Sequence, residues 1–119
     1  MAAPNLLSAT TITGKTAVAA LTTATANIIT NSSGSNTVDK IENIVLSNYT
    51  AIAATANVML NRSATLYYIG GNVSIPANST LILLAKDTSI YLEEGDVIQA
   101  NVSANSSISM TSSYELIAS

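Results

Sequence analysis

The sequence predicts an all-β protein, an antiparallel β-sandwich of the jelly-roll kind preceded by an N-terminal arm. Apolar and polar residues alternate with a period of two in several short runs, which is the pattern of half-buried strands. Turn-forming clusters separate these runs roughly every ten residues, as in sandwiches and jelly rolls. The clusters are NSSGSN at 31–36, GGN at 70–72, PANS at 76–79, EEGD at 93–96 and SANSS at 103–107. At 119 residues the chain is long enough for one domain with its own core.

The N-terminal part is predicted to be an arm followed by two strands. Residues 1–13 form the arm, because they contain Pro4 and many small residues without a consistent period, and residues 14–119 form the sandwich domain. Residues 15–30 combine Ala, which favours helix, with repeated Thr and the pair Ile28–Ile29, which favour strand. We predict a strand, a polar link and a second strand.

Four runs predict strands in the rest of the chain. Residues 56–61 alternate, and residues 97–102 are short and β-branched. Residues 80–84 are apolar on both faces, which predicts a central strand covered on each side. The clearest alternation begins at Ile108: Met110, Tyr114 and Leu116 are predicted to be buried, whereas Ser109, Thr111, Ser113 and Glu115 are predicted to face outward.

The most charged stretch, IYLEEGDVIQ at residues 90–99, decides whether the chain holds a chemical site. Gly95 can supply the positive φ of a tight hairpin, and Asp96 can accept hydrogen bonds from neighbouring backbone N–H groups. A calcium site would need about six to eight oxygen ligands, and a glycosidase needs two carboxylates facing one sugar. Because neighbouring carboxylates in a hairpin diverge, the sequence predicts that Glu93, Glu94 and Asp96 form a solvated turn and contribute little to stability.

The composition excludes several classes of function. The chain has no His, Cys, Trp or Phe, so it lacks thiolate chemistry, an imidazole base and an ordinary zinc site. Four cations cannot build a nucleic-acid-binding patch, and no apolar run approaches the ~20 residues that cross a bilayer. We therefore expect no catalytic, cofactor-binding or metal-binding residues and no nucleic-acid or membrane partner. Since only 9% of residues are charged, we expect the surface to contact copies of itself or a partner protein.

Two further features have alternative interpretations. Tyr67 and Tyr68 beside Gly70–Gly71 could stack on sugars or bases, but we predict one core tyrosine and one at a subunit contact, because adjacent strand residues face opposite sides. Seven Asn-x-Ser/Thr tripeptides could accept glycans in a secreted protein, but turn chemistry explains them as well. They start at Asn31, Asn48, Asn61, Asn72, Asn78, Asn101 and Asn105.

Four stretches cover most of residues 12–117: GKTAVAALTTATANIITNSSGS, VDKIENIVLSN, VSIPANSTLILLAKDTSIYLEEGD and SANSSISMTSSYE. Together they resemble a group of small virion structural proteins of tailed bacteriophages, particularly those of cyanobacterial and marine hosts. The most specific part runs from Pro76 to Asp96, followed by Ser113–Tyr114–Glu115. The resemblance implies a β-sandwich component of the virion with no catalytic or cofactor residues, and it leaves its position on head, neck or tail open.

We therefore expect a non-enzymatic virion protein, a capsid decoration (cement) protein that forms homo-oligomers and binds the major capsid lattice. One alternative is a neck, tail or fibre-associated β module of the same virion. A second is a carbohydrate-binding jelly-roll module, and a third is a hydrolase acting through Glu93, Glu94 and Asp96.

Overall fold

Strands account for most of the chain, in keeping with its many β-branched and alternating residues. The computed structural model describes residues 6–104 and 107–118. Within these residues the strands are β1 (Thr11–Ala20), β2 (Ala26–Thr30), β3 (Thr37–Ile41), β4 (Ile44–Asn48), β5 (Ala54–Arg62), β6 (Thr65–Ile75), β7 (Ser79–Leu84), β8 (Ile90–Leu92), β9 (Val97–Val102) and β10 (Ile108–Ala118). Short 3-10 helices span Leu6–Ser8 and Lys86–Thr88. In the described ranges we find no helix with the length and apolarity that a membrane crossing requires.

The larger of two antiparallel sheets is built around β10. On one side β10 pairs with β1 over ten residues, from Ser109 opposite Ala20 to Ala118 opposite Thr11. On its other side it pairs first with β4 and then with β3, and these two strands pair in turn with β7 and β8. The larger sheet therefore has four rows: β1, β10, β3 with β4, and β7 with β8.

A β-bulge joins β3 to β4. The backbone N–H groups of Glu42 and Asn43 both donate to the carbonyl oxygen of Ser113, at 2.9 and 3.3 Å. Two residues thus oppose one residue of β10, which is the defining pattern of a bulge. Asn43 Oδ1 accepts a hydrogen bond from Ser113 N at 3.0 Å, and the backbone carbonyl of Asn43 accepts one from Ser112 Oγ at 2.7 Å. These bonds satisfy the backbone at the irregularity.

The smaller sheet has the order β2, β9, β5, β6, and it packs face to face on the larger one. Alternate residues of β9 and β10 point into the space between the sheets, where Ile98, Ala100, Ile108 and Met110 are fully buried. Burying an isoleucine or methionine side chain contributes roughly 1.5–3 kcal/mol. The two antiparallel sheets and the shared core confirm the predicted antiparallel β-sandwich.

Two asparagines are buried, although the sequence suggested only turn positions. The Asn31 amide donates to the carbonyls of Thr37 and Leu92 at 3.0 and 2.9 Å, and its oxygen accepts from the hydroxyls of Ser35 and Thr37. A buried amide without partners would cost about 1–3 kcal/mol, so these bonds fix the loop between β2 and β3.

Asn48 performs the same task in the loop that follows β4. Its amide donates to the carbonyls of Ile52 and Ile75 at 2.9 and 3.0 Å, and its oxygen accepts from the backbone N–H and the hydroxyl of Thr50. Neither buried asparagine presents its amide to solvent. Asn78, by contrast, is exposed and has a positive φ between β6 and β7, as the turn interpretation predicts. Asn72 is also exposed with a positive φ, but it lies within β6 at a register shift, and Asn105 lies outside the described residues.

The strand predictions hold at 15–30, 56–61, 97–102 and along β10, where Met110 is buried and Thr111 exposed. Leu116 is only half-buried, whereas Ile117 on the opposite face is covered, with Val38 and Ile12 as its cross-strand neighbours. Strand β1 begins at Thr11, so the last three residues of the range 1–13 pair with β10, and residues 1–5 lie outside the described part.

Two expectations for the middle of the chain are wrong. Residues 80–84 do not form a central strand, because β7 lies at an edge of the larger sheet and Ile82 is 64% exposed. Gly70 and Gly71 form no turn but lie within β6. A Cβ at Gly70 would lie 2.9 Å from Leu83 Cδ1 of β7, so glycine serves here for close approach between the sheets.

The alternation of β10 generates a stability prediction. Met110→Ala should lower the free energy of unfolding by about 2–5 kcal/mol, because it leaves a cavity in the core. Thr111→Ala, on the exposed face of the same strand, should change it by about 0.5 kcal/mol or less. Chemical denaturation of both variants measures the difference. Equal losses would contradict the assignment of the two faces.

Candidate functional site

The acidic turn Glu93–Asp96 connects the two sheets. β8 pairs with β3 in the larger sheet, whereas β9 pairs with β2 and β5 in the smaller one. The prediction of a hairpin is therefore wrong, because the flanking strands pair with distant partners and not with each other. The turn itself is tight: Asp96 N donates to the Glu93 carbonyl at 3.0 Å, and Gly95 has a φ of 89°. The predicted positive φ at Gly95 is confirmed.

The loop between β2 and β3 holds this turn. Asn31 N donates to the Asp96 carbonyl at 2.9 Å, and Gly95 N donates to the Asn31 carbonyl at 2.7 Å. The Glu94 carboxylate accepts a hydrogen bond from Asn36 N. The backbone of the turn is thus paired like a short extension of the ladder between β2 and β9.

Asp96 lies buried against Arg62, which is the only arginine of the chain. The Asp96 side chain is only 3% exposed, and it receives Arg62 Nε on Oδ1 at 2.9 Å and Arg62 Nη2 on Oδ2. It also accepts Glu93 N at 2.8 Å. The hydrogen bond to Asp96 raises the pKa of Arg62. The predicted solvated turn is therefore wrong for Asp96. The sequence did not reveal this ion pair because Arg62 lies 34 positions away, in β5.

The other two acids of the turn are less buried. Glu93 is 63% exposed and lies 3.0 Å from Arg62 Nη2, while Glu94 is half-buried. With Ser33, Ser63 and Gly95 these charged residues line an open polar cleft of about 360 Å³. Arg62 is already paired with Asp96 and Glu93, and the described residues include no group of three or more acids suited to a metal ion. The arrangement can clamp the end of β5 to the turn between the sheets.

Asp39 is a buried acid that sequence reasoning missed. It lies in β3 opposite Leu92 and Leu116, it is 3% exposed, and its Oδ1 accepts no hydrogen bond from the described residues. Burial raises the pKa of Asp39, and the charge of Lys15 opposes this effect. The available signal was its position two residues before Ile41 on the core-facing side of a short strand.

The outer face of the smaller sheet carries rows of amides. Gln99 Nε2 donates to Asn27 at 2.7 Å, and Gln99 Oε1 accepts from Asn61 at 3.3 Å. In a neighbouring row Asn57 donates to Asn101 at 3.0 Å. Cross-strand amide pairs of this kind stabilise a sheet and leave a polar, uncharged surface.

Both tyrosines of β6 are exposed, Tyr67 by 56% and Tyr68 by 60%. The expectation that one of them lies in the core is wrong, because β6 is an edge strand. Tyr68 shares a row with Met59 and Gln99 and so lies on the amide-bearing outer face. Tyr67 lies on the other face. Further exposed apolar side chains occur elsewhere, among them Leu6, Leu7, Ile12, Val18, Tyr49, Ile52, Leu66, Ile82 and Tyr91.

Comparisons of the chain with protein-family models, with curated proteins and with solved structures give no match.

The clamp geometry predicts unequal effects of two of the turn acids, Asp96 and Glu93. Asp96→Ala should destabilise the fold by about 1–3 kcal/mol, because it removes a buried carboxylate with charge-assisted bonds to Arg62. Glu93→Gln should cost less than about 1 kcal/mol, since the exposed pair is screened by water. Thermal and chemical unfolding of both variants, with Glu93→Gln as the matched control, tests this. Equal stability of Asp96→Ala and the wild type would contradict the clamp.

The burial of Asp39 predicts a dependence of stability on pH. Because the folded-state pKa is raised, the fold favours the protonated acid, and stability is lost as pH rises from the unfolded-state value through the folded-state value. Asp39→Asn should therefore be more stable than the wild type at neutral pH. The advantage should shrink as the pH falls towards the ordinary aspartate pKa, about 4. Unfolding curves of the two proteins over this range check it, and a gap that widens on acidification would refute it.

Proposed function

We propose that the protein is a non-enzymatic structural component of a tailed-bacteriophage virion, a capsid decoration protein that binds the major capsid lattice. It acts through surface contact with neighbouring proteins and with copies of itself. The proposal rests on the sequence resemblance to small virion proteins and on the nature of the exposed surface.

The observation that carries the proposal is the apolar character of the sheet edges. Ile12 and Val18 are exposed on β1, Ile82 on β7, and Tyr67 and Tyr68 on β6. Exposed tyrosines and aliphatic side chains are typical of protein contact surfaces, where they bury apolar area at low entropic cost. A protein that works as a staple between neighbours needs contact residues at several edges, and this chain has them on three.

The use of charge supports the same role. Arg62 is bound within the molecule by Asp96 and Glu93, and Lys40 pairs with Glu42 at 3.4 Å. The net charge of the whole chain is only −3. Electrostatic repulsion between copies is therefore weak. Low repulsion favours dense packing on a lattice.

A carbohydrate-binding module is the second candidate, and the outer face of the smaller sheet favours it. Exposed Tyr68 stands beside amide rows that include Gln99 and Asn61, and sugars are commonly held by an aromatic face with amide partners. These amides already bond to one another, which supports the structural role. Calorimetric titration with soluble polysaccharides, using Tyr68→Ala as control, distinguishes the two candidates.

The capsid role predicts the number of copies on the particle. Virions of the phage that encodes the chain should contain on the order of hundreds of copies, because the head lattice repeats its sites by symmetry. Quantitative mass spectrometry against the major capsid protein measures this ratio, and immunogold labelling gives the position. About a dozen copies or fewer would assign the protein to neck or tail, and its absence from purified virions would refute the proposal.

A further inference from the structure

Strand β1 is the most regular exposed edge in the described part of the molecule. It pairs with β10 over ten residues without a register shift, and no described strand pairs with its other side. The remaining edges are interrupted: β2 has five residues and a register shift, β6 has two shifts, and a 3-10 helix separates β7 from β8. Proteins usually protect edge strands by such interruptions, by Pro or by charge. β1 has no Pro, and its single charge is Lys15.

The backbone of β1 offers a defined set of unpaired groups. Leu21 N donates to the Ile108 carbonyl at 3.0 Å, which continues the register of β1 with β10. In an antiparallel ladder alternate residues bond to the same neighbour, so the odd-numbered residues bond to β10. The N–H and C=O groups of the even-numbered residues therefore point away from the sheet. These residues are Ile12, Gly14, Thr16, Val18 and Ala20.

We propose that this edge binds the β1 strand of a second copy in the antiparallel direction. The twofold axis of the dimer passes between the Thr16 residues of the two copies. The five outward-pointing residues are symmetric about Thr16, so Ile12 meets Ala20 of the second copy and Gly14 meets Val18. Each of the five pairs exchanges two backbone hydrogen bonds, about ten in all. The two larger sheets become one continuous sheet.

The side chains fit this register. Val18 is 73% exposed, and a Cβ placed at Gly14 would have no atom within 4 Å, so the space above Gly14 can accept the valine of the second copy. Ile12, which is 63% exposed, likewise lies over the small side chain of Ala20. Large residues thus face small ones on both sides of the axis, which is the packing that cross-strand pairs favour.

The charge of Lys15 separates this register from one of its two neighbours. In the Thr16-centred pairing Lys15 lies opposite Ala17 of the second copy. A shift of two residues would centre the axis on Lys15 and place two ammonium groups directly opposite each other, which is destabilising. A shift of two residues in either direction would also reduce the hydrogen-bonded pairs within β1 from five to four. Both effects favour the axis at Thr16.

The inference concerns the chain alone and does not depend on the capsid role. Dimerisation of the purified protein tests the edge, whereas copy number on virions tests the location. A monomeric chain found on capsids would remove only the dimer, and a dimeric chain missing from capsids would remove only the capsid role.

A cysteine scan reads the register directly, because the chain has no cysteine of its own. Residues in a hydrogen-bonded antiparallel pair have Cα atoms about 5.5 Å apart, within the range of a disulfide. Under mild oxidation Thr16→Cys should form a covalent dimer on non-reducing gels. Gly14→Cys and Val18→Cys should each run as a monomer on these gels when oxidised alone. A mixture of the two variants should give a covalent dimer. Strong cross-linking of Gly14→Cys or Val18→Cys alone, or none with Thr16→Cys, would overturn the proposal.

A proline at the axis provides an independent test. Thr16→Pro removes an N–H that points away from β10, so the strand should keep its own sheet, as prolines do on edges. Sedimentation velocity from low micromolar to near-millimolar concentration should show a monomer–dimer equilibrium for the wild type and a monomer for the variant. Ala17→Pro is the matched control, because it removes a bond to β10 and should lower stability instead. A monomeric wild type, or a folded Thr16→Pro that dimerises equally, would refute the inference; if Thr16→Pro does not fold, the cysteine scan decides.

Discussion

Backbone pairing of the C-terminal strand is the constraint on which the larger sheet depends. β10 is bonded on both sides, to β1 along its whole length and to β3 and β4 in succession. Its partners come from the first half of the chain, so Thr11 meets Ala118 across almost the full sequence. Unpaired backbone groups in a sheet interior are costly, and the first rows of the sheet therefore cannot be completed until the last strand is in place. Contacts so distant in sequence are typical of slowly folding β proteins.

Buried polar side chains fix the connections that the sheets alone leave free. Asn31 ties the loop after β2 to β8, and Asn48 ties the loop after β4 to the end of β6. Arg62 and Asp96 join the end of β5 to the turn between the sheets. In each case hydrogen bonds to a different element offset the cost of burying the polar group. These bonds therefore specify how the sheets are connected and also stabilise the connections.

The described surface carries few unpaired charges. Arg62 and Lys40 are engaged within the molecule, and the exposed edges carry Ile12, Val18 and the tyrosines of β6. A charged, interrupted edge resists pairing with other strands, whereas a regular and apolar edge invites it. The proposed twofold contact at β1 leaves β6 and β7 exposed. A protein with one edge for its own copy and others for a second partner would suit a repeating lattice.

The sequence by itself determined the alternation along β10 and the tight turn at Gly95. Met110 and Thr111 face opposite sides, and Gly95 has a positive φ, because both properties depend on neighbours one or two positions away. The tertiary structure decided the rest. It placed residues 80–84 at an edge, left Tyr67 exposed, buried Asp39 and brought Arg62 to Asp96. A period of two reports that one face of a strand is covered, but it carries no information on which strand pairs beside it. Pairing between distant strands sets edge positions and ion-pair partners. This is why the acidic stretch looked like a solvated hairpin, whereas in the structure its Asp96 is buried and bonded to Arg62 at the connection between the two sheets.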